Sequence, residues 1–227
     1  MELLQCRPAD CLEIIVSRDF TDADGIVRKL AASNNIAVTV DDRTIARLSP
    51  KENCYCIGVF AKRGYNIARD ASHIALDHPS DMGNLGTIIR TALGFNFRDI
   101  AIIGDGADAY NPKTVRASMG AVFHSNIEYF KSFGEYREAV SPNRDVFTFE
   151  LTGAVNLRKA SAERKQSAYT LVFGNESRGL DRDTYRNAGT SVKIAHTSEI
   201  DSLSLPVAAS LAMYEFTCKL LPVEATR

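Results

Sequence analysis

Leu171-Val172-Phe173-Gly174-Asn175-Glu176-Ser177-Arg178-Gly179-Leu180 decides how this chain is read. The apolar triplet reads as a short buried strand that stops at Gly174, with Gly179 five residues on. A glycine at a strand end lets the backbone turn and come close to a ligand. A carboxylate two residues further is placed to meet that ligand or to cap the next turn. Many α/β loops share these features, so the weight of the stretch comes from two further segments with the same logic.

The first is Asn84-Leu85-Gly86-Thr87-Ile88-Ile89-Arg90-Thr91-Ala92, which follows the strand candidate His73–Asp77 and the loop 78–83. On a helix, Gly86, Arg90 and Gly94 share one face, and Ile89 and Leu93 lie on another. An arginine flanked by glycines is sterically open, and its planar fork suits a bidentate grip on a phosphate. Periodicity alone favours a plainer reading, a surface arginine on an amphipathic helix.

The second begins with Val192-Lys193-Ile194-Ala195, a strand candidate, and passes an irregular stretch, 196–201. It ends in Ser202-Leu203-Ser204-Leu205-Pro206-Val207-Ala208-Ala209. Pro206 fits the first turn of a helix and Ser204 its N-cap. Val207, Leu211, Tyr214, Cys218 and Leu221 recur at steps of four and three, an apolar stripe expected to close the core. Core closure does not explain the loop before the helix.

In this order the three segments resemble the SpoU/TrmH family of RNA 2′-O-ribose methyltransferases, within the SPOUT superfamily. The family's first motif, N-x-G-x-x-x-R-T-A, is matched by Asn84, Gly86, Arg90, Thr91 and Ala92. Its second, G-x-E-x-x-G after a strand, is matched by Gly174, Glu176 and Gly179. Its third, an Ile-rich strand, a loop and S-L-N-x-x-V-A, is matched by Ile194, Ser202, Leu203, Val207 and Ala208. The run Asn111–Ala121 resembles the family's segment between the first two motifs, and the whole resemblance spans residues 72–221.

Two departures stand out. Ser204 occupies the position of the family's usual asparagine, and Ala195 that of a common proline after the third-motif strand. Serine and asparagine are about equal as N-caps, so the helix start is expected to survive. Serine lacks the amide's two donors, which keeps a second reading open, a catalytically weakened RNA-binding relative of the same fold.

The resemblance implies an α/β SPOUT domain over residues 72–227, with a mainly parallel sheet and a C-terminal trefoil knot. Knots are rare, and no periodicity predicts one. It implies methyl transfer from S-adenosyl-L-methionine to a ribose 2′-hydroxyl of structured RNA, rRNA or tRNA, by a homodimer that needs no metal. Gly174, Ile194 and Leu203 are the implied cofactor contacts, with Ile194 and Leu203 lining an adenine pocket. Arg90, Asn84, Glu176 and Ser204 are the implied catalytic set. Arg90 would hold the RNA phosphate near the target ribose, and Asn84 and Glu176 would shape the site. Arginine stays protonated, so its part is electrostatic placement rather than proton removal.

Ahead of this domain, Glu13–Val16, Ile36–Val40 and Cys56–Phe60 read as strands. A helix is expected over 22–34, with Asp22 as cap and Ile26, Val27 and Leu30 inward, and a short one over 43–49. This order resembles the small substrate-binding domain that precedes many SpoU methyltransferase domains, most closely over 45–59, with Leu48, Ser49, Glu52 and Asn53. It is placed at residues 1–64, and the abrupt opening Met1-Glu2-Leu3-Leu4 leaves open that an opening element is missing. A polar break at Arg63-Gly64-Tyr65-Asn66 marks the boundary.

The 227 residues suit one or two domains, and 45% hydrophobic residues supply a core. A net charge of −1 argues against a sequence-blind nucleic-acid coat protein while leaving room for local basic patches. Arg43, Arg47 and Lys51 can share such a face, which reads equally as solvated surface. No apolar run approaches the roughly 20 residues of a membrane span, and no signal segment opens the chain. Five cysteines without a C-x-x-C pair read as the reduced thiols of a cytoplasmic protein rather than as a zinc site. Gly104-Asp105-Gly106-Ala107-Asp108-Ala109 matches a dinucleotide-binding turn, but Asn111-Pro112 would interrupt the helix that must begin there.

Overall fold

The computed structural model describes residues 1–49 and 53–218, so Lys51, Glu52 and Leu221 lie outside the described residues. The chain divides into two compact units, Met1–Arg63 and Gly64–Arg227.

The first unit contains α1 (Glu2–Cys6), β1 (Cys11–Val16), α2 (Ile26–Ser33), β2 (Ala37–Val40), α3 (Asp42–Leu48) and β3 (Cys56–Phe60). Its sheet has the order β2-β1-β3, with β2 parallel and β3 antiparallel to the central strand. Helix α2 starts four residues later than the cap at Asp22 led one to expect, after Gly25 at φ +63°. Asp22 still caps it from upstream, since its carboxylate accepts the Val27 N–H at 3.3 Å and the Arg28 N–H at 2.9 Å. Ile26 therefore sits at the first helical position and is exposed, and Ala31 is the buried residue of this helix. On α3, Arg43 and Arg47 are both exposed, one turn apart.

The second unit contains β4 (His73–Asp77), α4 (Met82–Gly94), β5 (Asp99–Ile103), α5 (Pro112–Ala117), β6 (Asn126–Phe130), α6 (Phe133–Ala139) and β7 (Asp145–Phe149). There follow β8 (Val155–Asn156), α7 (Leu157–Ala162), β9 (Tyr169–Phe173), α8 (Arg182–Tyr185), β10 (Thr190–Lys193) and α9 (Leu205–Thr217). The seven strands are ordered β6-β5-β4-β9-β7-β10-β8, and every neighbouring pair is parallel. β4, β5 and β9 are buried along their whole length. That is the pattern of central parallel strands covered on both faces, where each buried Ile, Leu or Phe contributes about 1.5–3 kcal/mol.

Gly86 does not leave space around Arg90. A Cβ there would lie 2.5 Å from the Thr114 carbonyl and 2.6 Å from the Ala117 Cβ, so Gly86 is the point where α4 and α5 touch backbone to backbone. Gly94, by contrast, faces open space. The expected α9 stripe is also turned outward. Val207, Leu211 and Tyr214 are 46%, 41% and 55% exposed, whereas Ala209, Ala212, Met213 and Phe216 are buried. Both faces of α9 are apolar, and its small residues allow the close approach to α4 while Phe216 packs against Phe147 and Tyr169. The turn at 104–109 leads into no helix, and α5 begins at Pro112, capped by the Asn111 side chain.

A buried arginine ties the amino ends of the central strands together. Arg144 Nη1 donates to His73 Nδ1 at 2.7 Å and Thr170 Oγ1 at 2.9 Å, and Nη2 donates to the carbonyls of Arg69 and Ala71 at 2.7 and 2.8 Å. An arginine can only donate, so His73 Nδ1 is bare and Nε2–H donates to the Ala68 carbonyl at 2.8 Å. Burial, and then the adjacent guanidinium, pull the His73 pKa down to about 4. All five cysteines are free. Among the described residues, no helix is long and apolar enough to cross a membrane.

Candidate active site

The carboxyl ends of β7, β9 and β10 surround a cavity of about 520 Å³. Gly174, Glu176, Ile194 and Leu203 all line it. Ile194 lies one residue past the end of β10, not inside a strand reaching Ala195. Phe149 and Phe173 stack within the wall, their ring centroids 4.5 Å apart and their planes 14° from parallel.

Gly174 is required by the turn itself as well as lining the cavity. A Cβ there would lie 2.2 Å from the Gly179 carbonyl carbon and 2.4 Å from the Leu180 nitrogen. The chain thus folds back on itself, so Gly174 makes room for the loop's own backbone. Gly179, at φ +67°, completes the return and donates its N–H to the Asn175 carbonyl at 2.9 Å. Asn175 secures both sides of this loop. Its Oδ1 accepts the Ser177 and Arg178 N–H groups, and its Nδ2 donates to the His78 carbonyl at 2.7 Å.

Glu176 fastens the same loop to the segment before α4. Its Oε2 accepts the Ser80 hydroxyl at 2.7 Å and the Ser80 N–H at 3.1 Å. Its Oε1 accepts the Asp81 N–H at 3.2 Å and the Asn84 amide at 3.3 Å. Burial works to raise the Glu176 carboxyl, but these donors together outweigh it and hold the group below the usual glutamate value. A carboxylate so bonded is a clamp and a poor proton acceptor. Asp81 caps α4 through the Asn84 N–H at 2.8 Å, so Asn84 is held by its backbone and its side chain alike.

Arg90 and Ser204 do not line this cavity. Arg90 is exposed on α4 and makes no ion pair among the described residues. Ser204 occupies the N-cap of α9 by its backbone, its carbonyl accepting the Ala208 N–H at 3.0 Å, but its side chain makes no capping hydrogen bond. Pro206 removes one orphan donor at this helix start. The sequence reading missed the segment 149–152, which follows β7 and forms one wall of the cavity. The signal was the apolar run Val146-Phe147-Thr148-Phe149, a strand pattern ending in Glu150.

A cleft of nucleoside size at the carboxyl ends of a parallel sheet, walled by the loops that leave three neighbouring strands, defines an α/β ligand-binding domain. The sequence profile of the SpoU rRNA Methylase family matches residues 71–214, and the chain belongs to that family.

The 23S rRNA (guanosine(2553)-2′-O)-methyltransferase of Bacillus subtilis is 28% identical over 142 residues, 62% of this chain and 56% of that protein. The chain therefore spans little more than half the length of this curated relative. The structure of an AdoMet-bound rRNA methyltransferase from Sinorhizobium meliloti shares the fold, with a TM-score of 0.83 at 24% identity over 98% of this chain and 86% of that one. A structure concerned with 2-OH methylation of C/U34 on tRNA matches with a TM-score of 0.59 at 29% identity, over 67% of this chain and 98% of that one.

Proposed function

We propose that the chain is an S-adenosyl-L-methionine-dependent methyltransferase acting on a ribose 2′-hydroxyl of structured RNA, rRNA or tRNA. The observation that carries the reading is the joint construction of one cavity by the loops at 174–180 and 194–203, with its Glu176 wall bonded to Asn84. The residues fit the cofactor. The volume lies in the usual range for a ligand of this size, and Ile194, Leu203 and the Phe149–Phe173 pair offer apolar faces to a purine. When bound there, S-adenosyl-L-methionine supplies an electrophilic methyl on a sulfonium.

The protein's own part is placement. Ile194 and Leu203 hold the adenine, and backbone groups near Gly174 hold the rest of the ligand. Glu176 keeps the 80–84 segment against the cavity. The uncommitted fork of Arg90 takes an RNA phosphate beside the target ribose. Because Arg90 lies outside its own chain's cavity, a second copy seated on the exposed Val207-Leu211-Tyr214 stripe accounts best for its use, which favours a homodimer. The insertion of β10 between β7 and β8, followed by the return into α9, is the passage that a trefoil knot would thread. The first unit, with Arg43 and Arg47 exposed on α3, serves as the RNA-binding domain. Free thiols suit the cytoplasm.

Mapping 2′-O-methyl sites by mass in RNA from cells with and without the protein tests the reading. Loss of one modification is the expected result, and an unchanged map overturns it. Ser204, which neither lines the cavity nor caps its helix through its side chain, favours the second reading of a weakened relative. A wild type inert on every RNA, with activity appearing in Ser204→Asn, would select that reading.

A further inference from the structure

Three carboxylates line the cavity, and they are not equivalent. Glu176 has both oxygens engaged by Ser80, Asp81 and Asn84. Asp201 is exposed on a loop. Glu150 differs from both. Its Oε1 accepts the buried Thr148 hydroxyl at 2.9 Å, and its other oxygen has no protein partner among the described residues.

The backbone of Glu150 is held as firmly. Its N–H donates to the Val192 carbonyl at 3.0 Å, and its own carbonyl accepts the Gly153 N–H at 3.2 Å. A Cβ on Gly153 would lie 2.3 Å from the Val192 carbonyl carbon, so the turn after Glu150 lies flush against β10. The Thr148 bond holds the Glu150 carboxylate just past the end of β7, in the cavity that Phe149 and Phe173 also line.

We propose that Glu150 is a specificity-determining residue that recognises the cofactor by accepting hydrogen bonds from its ribose hydroxyls. The proposal rests on the reading of the cavity as an S-adenosyl-L-methionine site. A carboxylate with one oxygen pinned and the other open is pre-oriented to meet a vicinal diol, and charge-assisted bonds to hydroxyls are short and strong. Apolar faces bind any flat base, so a fixed acceptor in the same cavity supplies the discrimination they lack. Thr148 acts as a positioning residue, since losing its hydroxyl frees Glu150 to rotate.

The test is calorimetric binding of S-adenosylhomocysteine, its 2′,3′-dideoxyribose analogue and its N6-methyl analogue to the full chain. Wild type should bind the parent at least about tenfold tighter than the dideoxy analogue, the scale expected for hydrogen bonds to a charged group. Glu150→Ala and Glu150→Gln should lose a similar factor for the parent and bind the dideoxy analogue as wild type does. Thr148→Val should fall between. Thermal unfolding of each variant near the wild-type midpoint shows that the fold is kept, and Glu150→Gln preserves the side-chain shape if Glu150→Ala does not fold. Equal parent affinity in wild type and Glu150→Gln overturns the proposal. So does a loss equal for parent and dideoxy ligand, or one that tracks the N6-methyl group instead. No binding of any ligand by wild type overturns the cofactor reading itself, and the proposal with it.

Discussion

Asn84 and Glu176, ninety-two positions apart, are joined by a 3.3 Å hydrogen bond from the amide nitrogen to Oε1. It links the first turn of α4 to the loop after β9. The two motifs most visible in the sequence are therefore bonded to each other, and the loop on the cavity wall is tied to the first turn of the helix that carries Arg90.

Glu176→Ala removes the acceptor for four donors. Hydrogen bonds to charged groups are worth about 1.5–3 kcal/mol each, with solvent reducing that at a half-buried site. The expected outcome is a loss of S-adenosyl-L-methionine affinity larger than that of Asn84→Ala. The double variant should be barely worse than Glu176→Ala alone. Additive losses by calorimetry would mean that the two residues act separately. The carboxyl is held low in the folded protein, so its contribution is present above the ordinary glutamate pKa and fades as pH falls through the lower folded value.

His73 sets a second pH dependence, with its own window. Its folded pKa of about 4 lies below the ordinary 6.5. The unfolded chain therefore binds more protons between these values, and stability falls as pH drops from about 6.5 to about 4. The drop should be on the order of 3 kcal/mol at about 1.4 kcal/mol per pKa unit. Urea unfolding of wild type and His73→Gln at pH 7 and pH 4.5 checks it. A pH-dependent loss of equal size in both proteins would remove His73 as its source.

The strands β4 and β9 are legible in the sequence because their apolar runs end abruptly at polar or glycine residues, and parallel central strands must be apolar on both faces. The facing of α9 is not legible. With Val207, Leu211 and Tyr214 on one side and Ala209, Met213 and Phe216 on the other, either side reads as a core face, and only the fit against α4 and Tyr169 decides. Gly86 and Gly174 are legible as special positions, but what each meets depends on chain segments far away or folded back: Ala117 on α5 for the one, Gly179 and Leu180 for the other. Glu150 carries no motif, and its place emerges only once β7 lies beside β10.

Leu203 tests the apolar side of the cavity. A carboxylate introduced there would enter a cavity that Phe149, Phe173 and the carboxylates Glu150, Glu176 and Asp201 also line. Leu203→Asp should weaken S-adenosyl-L-methionine binding by more than about tenfold, the scale of losing a buried leucine contact. Residue 203 is only half-buried on a loop, so far-ultraviolet circular dichroism should remain native. Unchanged affinity with a native spectrum would show that Leu203 is not part of the pocket.

Arg90 carries the most demanding prediction, because the geometry separates it from the cavity of its own chain. A bidentate guanidinium–phosphate contact cannot be reproduced by lysine. Losing it in the transition state should cost on the order of 3 kcal/mol, about a hundredfold in rate. Arg90→Lys and Arg90→Ala should therefore both lose nearly all methyl transfer and still bind S-adenosyl-L-methionine as wild type does, since Arg90 does not line that site. If a second copy supplies the arginine, mixing Arg90→Ala with Leu203→Asp should recover part of the activity, because one site of each hybrid dimer has an intact pocket and an intact Arg90. Light scattering at micromolar concentration should report twice the mass of one chain. A monomer by scattering, or a mixture no more active than its parts, would place the active Arg90 in the same chain as the cavity. Wild-type turnover by Arg90→Ala would remove it from the chemistry altogether.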